Sequence, residues 1–505
     1  MKFGMEYLLG IDLGTSSLKA LLIQSDGNVK ASASQDYQFT SIQNGAAEQN
    51  PHDWWEACVK TIKELLRISD IRAEEIQGIS FSGQMHGLVT LDENHEVVRP
   101  AILHCDARTS KQVQFIKETL GEERIAKLVM NPIYPGFLLP SLLWIRDKEP
   151  ENFKKISYVM LPKDYLKFRL TGVICSDYSD ASATLVFDIK ENKWSSEIMK
   201  IFQLPVEWFP KCYETMTVIG EVVHQAASET GLYKSTKVVN GGGDQVMQGI
   251  GNGITQVGEA SVNIGSSGQV SFQSDYPILN PVFSTNTFCG YEKGRWITMG
   301  AIMNAGLSLR WLNNILGNID YQTINNEVAT VPIGSGGVIF LPYLNGERTP
   351  HLNPNISGEF IGLNLNTTRA HMLRAVMEGV AYALNQCIEV CTDLGLHVSY
   401  MVASGGGAKS TPWLQIQADI FGIPLKIADT DEQASLGAAI AAGVGVGLYK
   451  GIKEGCETVV CYQERIVEPN IENHKIYCEY YKIYKRAYTD GVKVLEDVTK
   501  LGRQE

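Results

Sequence analysis

The chain of 505 residues contains ten cysteines but no C-x-x-C pair, and no histidines accompany them at the spacing of zinc ligands. We therefore expect reduced cysteines and no zinc site. Basic residues are scarce, since 44 Lys and Arg stand against 56 Asp and Glu and give a formal net charge of −12, which argues against a nucleic-acid partner. The longest apolar run, Leu436 to Leu448, is interrupted by glycines and is too short to cross a membrane.

The length exceeds what one hydrophobic core normally supports, so the sequence predicts two large domains. Strand and helix patterns alternate throughout, which predicts an α/β architecture. We place the division between residues 1–254 and 255–505. Met1 to Glu6 lead into a strand too soon for a signal peptide, and we expect a cytoplasmic protein.

Two short stretches, Ile11 to Ser17 and Val262 to Gly268, share the pattern hydrophobic-(Asp or Asn)-x-Gly-(Thr or Ser)-Ser. Each stands between two apolar runs, as the turn of a β-hairpin does. A Gly in such a turn leaves the backbone free to adopt a positive φ, and the hydroxyl residues after it offer donors to an anion. The repetition favours two phosphate-binding hairpins over two plain turns. Because only the first carries a carboxylate, Asp12, we expect Mg²⁺ on that side alone.

Two carboxylates are the candidates for chemistry. Asp244 follows three glycines where a strand meets a helix, and three glycines are more than the alternative role, a helix N-cap, requires. We expect the helix N-terminus to keep Asp244 ionised, so that it accepts a proton from an attacking hydroxyl. Asp12 is expected to orient Mg²⁺ through water, with a buried structural aspartate as the alternative.

Three further features leave alternatives open. Lys19 either contacts phosphate or is solvated. The run Ser404 to Lys409 is not a Walker A loop, because Ala408 stands where that loop needs Gly, and it better suits a flat ligand such as adenine. His86 ends a buried strand and is either a partner for a sugar hydroxyl or a core histidine.

Together these residues resemble the FGGY family of carbohydrate kinases, from Tyr7 to about Tyr449. The motifs that carry the resemblance stand in the family's order: Asp12-Leu13-Gly14-Thr15-Ser16, Gly83-Gln84-Met85-His86-Gly87, Leu161-Pro162-Lys163-Asp164-Tyr165, Ser179-Asp180-Ala181-Ser182, Gly242-Gly243-Asp244-Gln245, Gly346-Glu347-Arg348-Thr349-Pro350, Gly405-Gly406-Gly407-Ala408-Lys409 and Ser435-Leu436-Gly437-Ala438-Ala439. The resemblance implies a two-domain actin-like (ribonuclease H-like) fold with ATP in the cleft between the domains.

The resemblance also implies roles by position, with Asp244 as the catalytic base and Asp12 as the catalytic carboxylate that places Mg²⁺. The residues implied to bind the sugar are Gln84, Met85, His86, Asp106, Asp244 and Gln245. Those implied to bind ATP are Gly14, Thr15, Ser16, Lys19, Gly265, Ser266, Gly306, Arg310, Gly406, Gly407 and Thr411. The expected partners are a small sugar and ATP, without nucleic acid or membrane, and a homodimer is the assembly considered.

The Met85-His86 pair favours a ketopentose, D-xylulose first, phosphorylated at its C5 hydroxyl. Two positions depart from the family pattern: His104-Cys105 precede Asp106 where members usually have Trp-Asn, and Ser141 stands where Lys is usual. The exact sugar therefore stays open, and so does the role of Ser141. One rival is a kinase of the same family for another ketose, a polyol or a sugar acid. A rival of another class is an actin- or chaperone-like ATPase that binds a protein partner.

Overall fold

The computed structural model describes residues 6–38, 40–42 and 45–502. Residues 1–5, on which the signal-peptide expectation depends, lie outside the described residues. The elements up to residue 251, termed the first half, are β1 Tyr7–Leu13, β2 Ser17–Gln24, β3 Val29–Asp36, β4 Thr40–Ile42, β5 Ala46–Gln49, α1 Pro51–Ser69, β6 Ile76–Gly83, β7 Val89–Leu91, β8 Ala101–Ile102, α2 Ser110–Arg124, α3 Leu138–Lys148, α4 Pro150–Phe153, β9 Tyr158–Met160, α5 Pro162–Thr171, β10 Ser176–Asp177, α6 Tyr178–Ala181, β11 Phe187–Asp188, β12 Lys193–Trp194, α7 Ser196–Phe202, β13 Cys212–Tyr213, β14 Val218–Glu221, α8 His224–Thr230, β15 Lys237–Val239, β16 Gly242–Gly243 and α9 Asp244–Gly251.

The elements from residue 260 onward, termed the second half, are β17 Ala260–Ile264, β18 Gly268–Ser274, β19 Asn286–Cys289, β20 Trp296–Ile302, α10 Gly306–Ile315, α11 Tyr321–Thr330, β21 Ile339–Leu341, β22 Glu359–Ile361, α12 Arg369–Asp393, β23 Met401–Ser404, α13 Thr411–Phe421, β24 Leu425–Ile427, α14 Gln433–Gly445, α15 Ile452–Val459 and α16 Ile471–Gly502. None of the helices in the described part of the chain has the length and hydropathy of a membrane-spanning segment.

The first half is built on a sheet with the strand order β14-β15-β6-β1-β2-β3, in which β16 also pairs with β6. β1, β2 and β3 form an antiparallel meander, whereas β6 runs parallel to β1. Residues of β1 are apolar on both faces: Leu9 and Ile11 pack with Trp54 of α1, and Leu8 packs with residues of α14. A central strand covered on both faces reads as a continuous apolar run, which explains its sequence.

The second half repeats this topology in a sheet with the order β19-β20-β18-β17-β23-β24. β17, β18 and β20 are antiparallel, and β23 runs parallel to β17. The hairpin β17–β18 therefore corresponds to β1–β2, and β23 corresponds to β6. The repeated hairpin pattern in the sequence reflects a repeated sheet.

Helix α14 belongs to the second half by sequence but packs on α9, β1 and β6 of the first. The helices approach closely because glycines lie at the contact: a Cβ on Gly437 would stand 1.9 Å from the Met247 carbonyl oxygen. After α14, the Tyr449 hydroxyl donates to the Ser25 carbonyl at 2.9 Å. The division at residues 254 and 255 stays a prediction, with the C-terminal part of the chain returning to the first sheet.

The sequence predicts two helix N-caps, Asn50 before α1 and Thr411 before α13, and the structure confirms only the first. Asn50 caps α1 as expected, because its side chain accepts from the His52 N–H. For α13, the expected cap Thr411 is wrong by one residue: the Ser410 side chain accepts from the Trp413 N–H, and Thr411 and Pro412 occupy the first turn. Serine and threonine cap equally well in principle, so the sequence alone does not choose between these neighbours.

Candidate active site

Three parallel strands end together at one edge of the first sheet. Asp12 of β1 is in register with Ser82 of β6, and Gly83 of β6 is in register with Gly243 of β16. Because parallel strands present their carboxyl ends on the same side, Asp12, the segment after Gly83 and Asp244 are brought together.

The carboxyl of Asp12 accepts a hydrogen bond from Ser82 Oγ at 2.7 Å. Removal from water raises the pKa of Asp12; the Ser82 hydrogen bond and the Lys19 charge lower it, while the Glu432 charge raises it further. A carboxylate that loses hydration is stabilised when a cation approaches it. The arrangement therefore fits a cation-facing residue.

Asp244 is the first residue of α9, and Gly243 occupies the N-cap position. Burial, and then the nearby charge of Asp12, raise the pKa of Asp244 to about 7, while hydrogen bonds from the Gln245 side chain and backbone lower it. The predicted effect of the helix N-terminus does not keep the pKa of this carboxyl low, because burial and the like charge of Asp12 raise it. A carboxyl that titrates near neutral pH can accept a proton and return it.

The glycines of the two hairpin turns do not use the positive φ that glycine permits. Neither Gly14 nor Gly265 is among the described glycines with positive φ. The turns close instead through the Gly14 N–H to the Ser17 carbonyl and the Gly265 N–H to the Ser267 carbonyl, each at 3.0 Å. A Cβ on Gly265 would lie 3.6 Å from Asn263 Oδ1 and 3.7 Å from the Ser267 carbonyl oxygen, which are ordinary van der Waals contacts.

Two cavities meet at the second hairpin turn. The cleft cavity, about 330 Å³, lies between the halves and is lined by Asp244 and Gln245 from the first half and Ser267 and Gln269 from the second. The second-half cavity, about 480 Å³, is lined by Gly265 and Ser266, among others. The turn from residue 265 to 267 therefore separates the two cavities and touches both.

The second-half cavity gathers most residues that were predicted to bind the nucleotide. Its lining includes Gly265, Ser266, Gly306, Arg310, Gly406 and Gly407. Arg310 Nη2 donates to Ser266 Oγ at 2.8 Å, which places a guanidinium beside the hairpin turn. Thr411 does not line this cavity and is exposed; Ser410 and Trp413 do line it. The donors and the apolar wall suit a phosphorylated flat ligand.

The cleft cavity contains Met85, His86 and Gln245 of the predicted sugar-binding residues, together with Thr15 from the first hairpin. His86 has a φ of 72° and donates from Nδ1 to the Ala183 carbonyl at 2.9 Å. Its ring stacks on Phe137 with the centroids 3.9 Å apart. Burial, and to a smaller extent the charges of His104 and Arg348, lower the pKa of His86 to about 3. His86 is therefore neutral and rigidly held at the cavity wall.

Other predicted residues line neither cavity: Asp12, Gly14, Ser16, Lys19, Gln84, Asp106 and Thr411. Lys19 Nζ lies 3.1 Å from the Glu432 carboxylate. Gln84 donates to the Gly14 carbonyl at 3.5 Å and to Gln49 at 3.4 Å, so it braces the first hairpin. The Asp106 carboxylate accepts from the Ala47 N–H at 2.6 Å and from Arg108 Nε at 2.8 Å. The side chains of Lys19, Gln84 and Asp106 thus have partners within the protein.

Several cavity residues were missed by the sequence argument. They are His104, Tyr134, Phe137, Ser267, Gln269, Asn286, Met299 and Arg348. Gln269 Nε2 donates to Gln245 Oε1 at 2.6 Å, and Gln245 donates to Asp244 at 3.1 Å, so a side-chain relay joins the halves. Two features of the sequence could have pointed to cavity residues: the motif that contains Arg348 and the departure from the family pattern at His104. Neither feature shows whether the side chain faces the cavity.

Beneath the turn that carries Asp244 lies a buried ion cluster of Lys163, Asp164, Lys167, Asp177 and Asp180, all without exposed side-chain surface. Lys163 Nζ lies 2.8 Å from Asp164, 2.5 Å from Asp177 and 2.9 Å from Asp180. Burial and the charges of Asp177 and Asp164 raise the pKa of Asp180 to about 8, against the lowering effect of Lys163. Burial and the neighbouring carboxylates therefore disfavour a negative charge on Asp180.

The cluster is connected at two points to the turn that carries Asp244. Ser179 donates to the Asp177 carboxylate and accepts from the Gly243 N–H at 3.0 Å. Lys167 donates to the side chain of Asn240, which precedes the three glycines. The motifs around Lys163, Ser179 and Asp244, which lie far apart in the sequence, therefore form one support for Asp244.

Comparisons with known proteins agree with this arrangement. The model of the FGGY family of carbohydrate kinases, N-terminal domain, matches residues 7–251, and that of the C-terminal domain matches residues 260–446. The chain is 37% identical over 486 residues to the xylulose kinase of Bacillus subtilis, covering 96% of this chain and 97% of the relative.

Solved structures give the same result. The ligand-bound xylulose kinase from Lactobacillus acidophilus superposes with a TM-score of 0.92 at 26% identity, covering 98% of this chain and 100% of that one. The gluconate kinase from the same organism gives the same TM-score of 0.92, identity of 26% and coverages of 98% and 100%. These matches confirm the predicted two-domain actin-like fold, and they do not favour the rival of a partner-binding ATPase.

Proposed function

This chain belongs to the FGGY family of carbohydrate kinases, and on that premise we propose that it transfers the γ-phosphate of ATP to the C5 hydroxyl of D-xylulose. The names of its relatives support this sugar. The observation that carries the chemistry is Asp244, a carboxyl with a pKa of about 7 in the wall of the cleft cavity.

In the proposed reaction, the C5 oxygen attacks the γ-phosphorus and its proton passes to the Asp244 carboxylate. An oxygen–phosphorus bond forms as the bond to the β–γ bridging oxygen breaks, and ADP leaves. The turn from Gly265 to Ser267 offers donors between the two cavities, where the γ-phosphate must pass. Met85, Phe137 and Met299 give the cleft cavity apolar walls, which help to exclude water as a competing acceptor.

We also propose that Mg²⁺ binds with ATP beside Asp12. The donor set fits, because only one Asp12 oxygen accepts from Ser82, and removal from water raises the pKa of this carboxyl in the absence of a cation. When bound, Mg²⁺ would offset the negative charge of the transferred phosphate. Asp12 would hold the ion through water, as Mg²⁺ usually keeps part of its hydration shell.

A coupled assay of ADP release over pentuloses, polyols and gluconate tests this function. We expect ATP turnover to depend on D-xylulose, and nuclear magnetic resonance to locate the new phosphate on C5. ATP turnover that is independent of any sugar, or that is highest with a polyol or gluconate, would contradict the proposal.

Two further proposals concern the setting of the reaction. A cytoplasmic location is supported by the need for ATP and by the ten cysteines, all of which are free thiols. Fractionation of the producing cells tests it. A homodimer stays a prediction, for which light scattering coupled to size exclusion gives the mass.

A further inference from the structure

His104 lies in the wall of the cleft cavity without a side-chain hydrogen bond to any described residue. Its Nδ1 atom is buried and has no partner. Nε2 is not among the buried unpartnered atoms, so it is open to the space that the residue lines, which is the cleft cavity. A polar nitrogen of a ring in a sugar-sized cavity is thus available to a ligand.

The two histidines of the cavity differ in this respect. His86 is held by its hydrogen bond to Ala183 and by the stack on Phe137. His104 is held through its backbone instead, since Gly136 adopts a φ of 78° and packs so closely that a Cβ there would lie 2.3 Å from the His104 carbonyl oxygen. The protein fixes the position of His104 and leaves the cavity-facing nitrogen free.

Charges distinguish the two ends of the cleft cavity. Burial, and to a smaller extent the charge of Arg348, lower the pKa of His86 to about 3 and that of His104 to about 4. Burial raises the pKa of Tyr134 to about 12, and the charge of Arg348 opposes this rise. The charge that acts on Asp244 is that of Asp12. We call the end formed by His86, His104, Tyr134 and Arg348 the distal end. Both imidazoles there are neutral at physiological pH.

Arg348 adds a second unsatisfied group at the distal end. Within the part of the chain that the structure describes, its guanidinium has no carboxylate within 4.0 Å, and it lies 5.9 Å from the centroid of the Tyr134 ring. The preceding residue, Glu347, accepts from the Met303 and Arg348 backbone N–H groups instead. The distal end therefore presents two groups that can hydrogen-bond a ligand oxygen, the Arg348 guanidinium and the His104 ring, while Glu347 Oε1 is engaged by backbone donors.

We propose that His104 is a specificity-determining residue, whose Nε2 hydrogen-bonds the terminal hydroxyl of the ketose at C1, the end opposite the phosphorylated C5. The proposal rests on the proposed function, since it places C5 at Asp244. A buried polar group left without a partner costs binding free energy, so a substrate that lacks this hydroxyl is disfavoured. His104 acts on substrate choice, whereas Asp244 acts on the transfer step.

The test compares D-xylulose with 1-deoxy-D-xylulose, which lacks only the C1 hydroxyl. For the wild-type protein we expect kcat/KM to favour D-xylulose by roughly 10- to 100-fold. In His104→Phe this ratio falls to about one, because the hydrogen bond is absent for both sugars. The ratio falls because kcat/KM for D-xylulose decreases, while turnover of the deoxy sugar stays within about threefold of wild type.

Two conservative variants identify the nitrogen. The amide of His104→Gln reaches the place of Nε2 and is expected to keep most of the discrimination, whereas the amide of His104→Asn lies near the place of Nδ1 and loses it. Cys105→Ser is the matched control, since Cys105 is the exposed neighbour and does not line the cavity. We expect its ratio to equal that of the wild type.

The outcomes separate the two proposals. If wild-type protein does not phosphorylate D-xylulose, the proposed function fails. If it does, but the sugars are used equally, or His104→Phe lowers both sugars by the same factor, the role of His104 is overturned. Should His104→Phe not fold, as judged by circular dichroism, the Gln and Asn variants decide: equal ratios in both would contradict the proposal.

Discussion

The hairpins β1–β2 and β17–β18 have the same backbone environment, but one carries a carboxylate where the other carries an amide. Asp12 is in register with Ser82 of the parallel strand β6, and Asn263 is in register with Ser404 of the parallel strand β23. In the first half Ser82 donates to the Asp12 carboxylate at 2.7 Å. In the second half the direction is reversed, because the Asn263 amide donates to Ser404 Oγ at 3.0 Å.

The two copies keep a serine partner, while replacing a carboxylate by an amide removes one negative charge. This difference supports the proposal that the first turn faces a cation and that the second faces phosphate without repelling it. Five experiments test this difference between the hairpins, in order of decreasing effect.

The largest effect is expected for Asp244→Asn, which removes the carboxyl beside the first hairpin. We predict that kcat falls by roughly 10²- to 10⁴-fold, the usual range for a lost general base, while D-xylulose and ATP still bind. Steady-state kinetics and isothermal titration calorimetry measure the two parts. Asp53→Asn, an exposed change in α1, is the control. Turnover within about threefold of wild type would remove Asp244 from the mechanism.

Asp12→Asn makes the first hairpin resemble the second. We predict that apparent Mg²⁺ affinity and turnover fall together by roughly 10- to 100-fold, because an amide is a weaker partner for a hydrated cation. A titration of activity with Mg²⁺ at saturating ATP and sugar measures this. An unchanged titration with normal activity would make Asp12 a structural residue.

The reciprocal change, Asn263→Asp, adds a negative charge to the second hairpin. We predict that the KM for ATP rises by roughly tenfold while the KM for D-xylulose changes little, since like charge disfavours phosphate beside this turn. Asn263→Ser, which adds no charge, is the matched control. Equal effects of both variants on ATP would indicate lost packing and no role for charge.

Ser179→Ala separates the buried ion cluster from the turn that carries Asp244. We predict that kcat falls by roughly tenfold with little change in either KM, because the Gly243 N–H loses its partner and Asp244 is held less tightly. Ser182→Ala is the control: Ser182 is equally buried on the same segment but accepts from the Cys289 N–H. If the two variants lose the same activity, the effect is one of general stability.

The smallest effect concerns pH. Asp244 must be ionised to accept a proton and its pKa is about 7, so kcat/KM is predicted to rise with pH and level off above that value. The charge of Asp12 contributes to this raised pKa, and in Asp12→Asn the rise should move to lower pH. A profile measured from pH 5 to 9 checks both points. A profile that keeps its midpoint in Asp12→Asn would show that the two carboxyls do not interact.

Much of the frame could be predicted because its signals are local. The cap at Asn50, the hairpin at Asp12 and the helix that begins at Asp244 each depend on residues within a few positions. Gly14 and Gly265 do not adopt the positive φ that glycine permits, because glycine allows that conformation without requiring it. The motifs also predicted the family and its two-domain fold.

Side-chain partners across long sequence distances were not predictable. Asp106 was expected at the sugar and instead accepts from Ala47 and Arg108, while Lys19 pairs with Glu432, more than 400 residues away. The ion cluster around Lys163 joins several motifs. The sequence shows the order of these motifs along the chain but not which of their side chains are in contact. Only packing decides which of several chemically suitable partners a polar side chain meets.

The sequence by itself determined which groups are present: two hairpins, a carboxylate in one and an amide in the other, and an aspartate after three glycines. The tertiary structure decided what those groups do. It brought Asp12 close enough to raise the pKa of Asp244, and it turned His104 toward the cleft cavity. The reason is physical, since ionisation and hydrogen-bond satisfaction depend on the water and charges around a group, and these are set only when distant segments pack together.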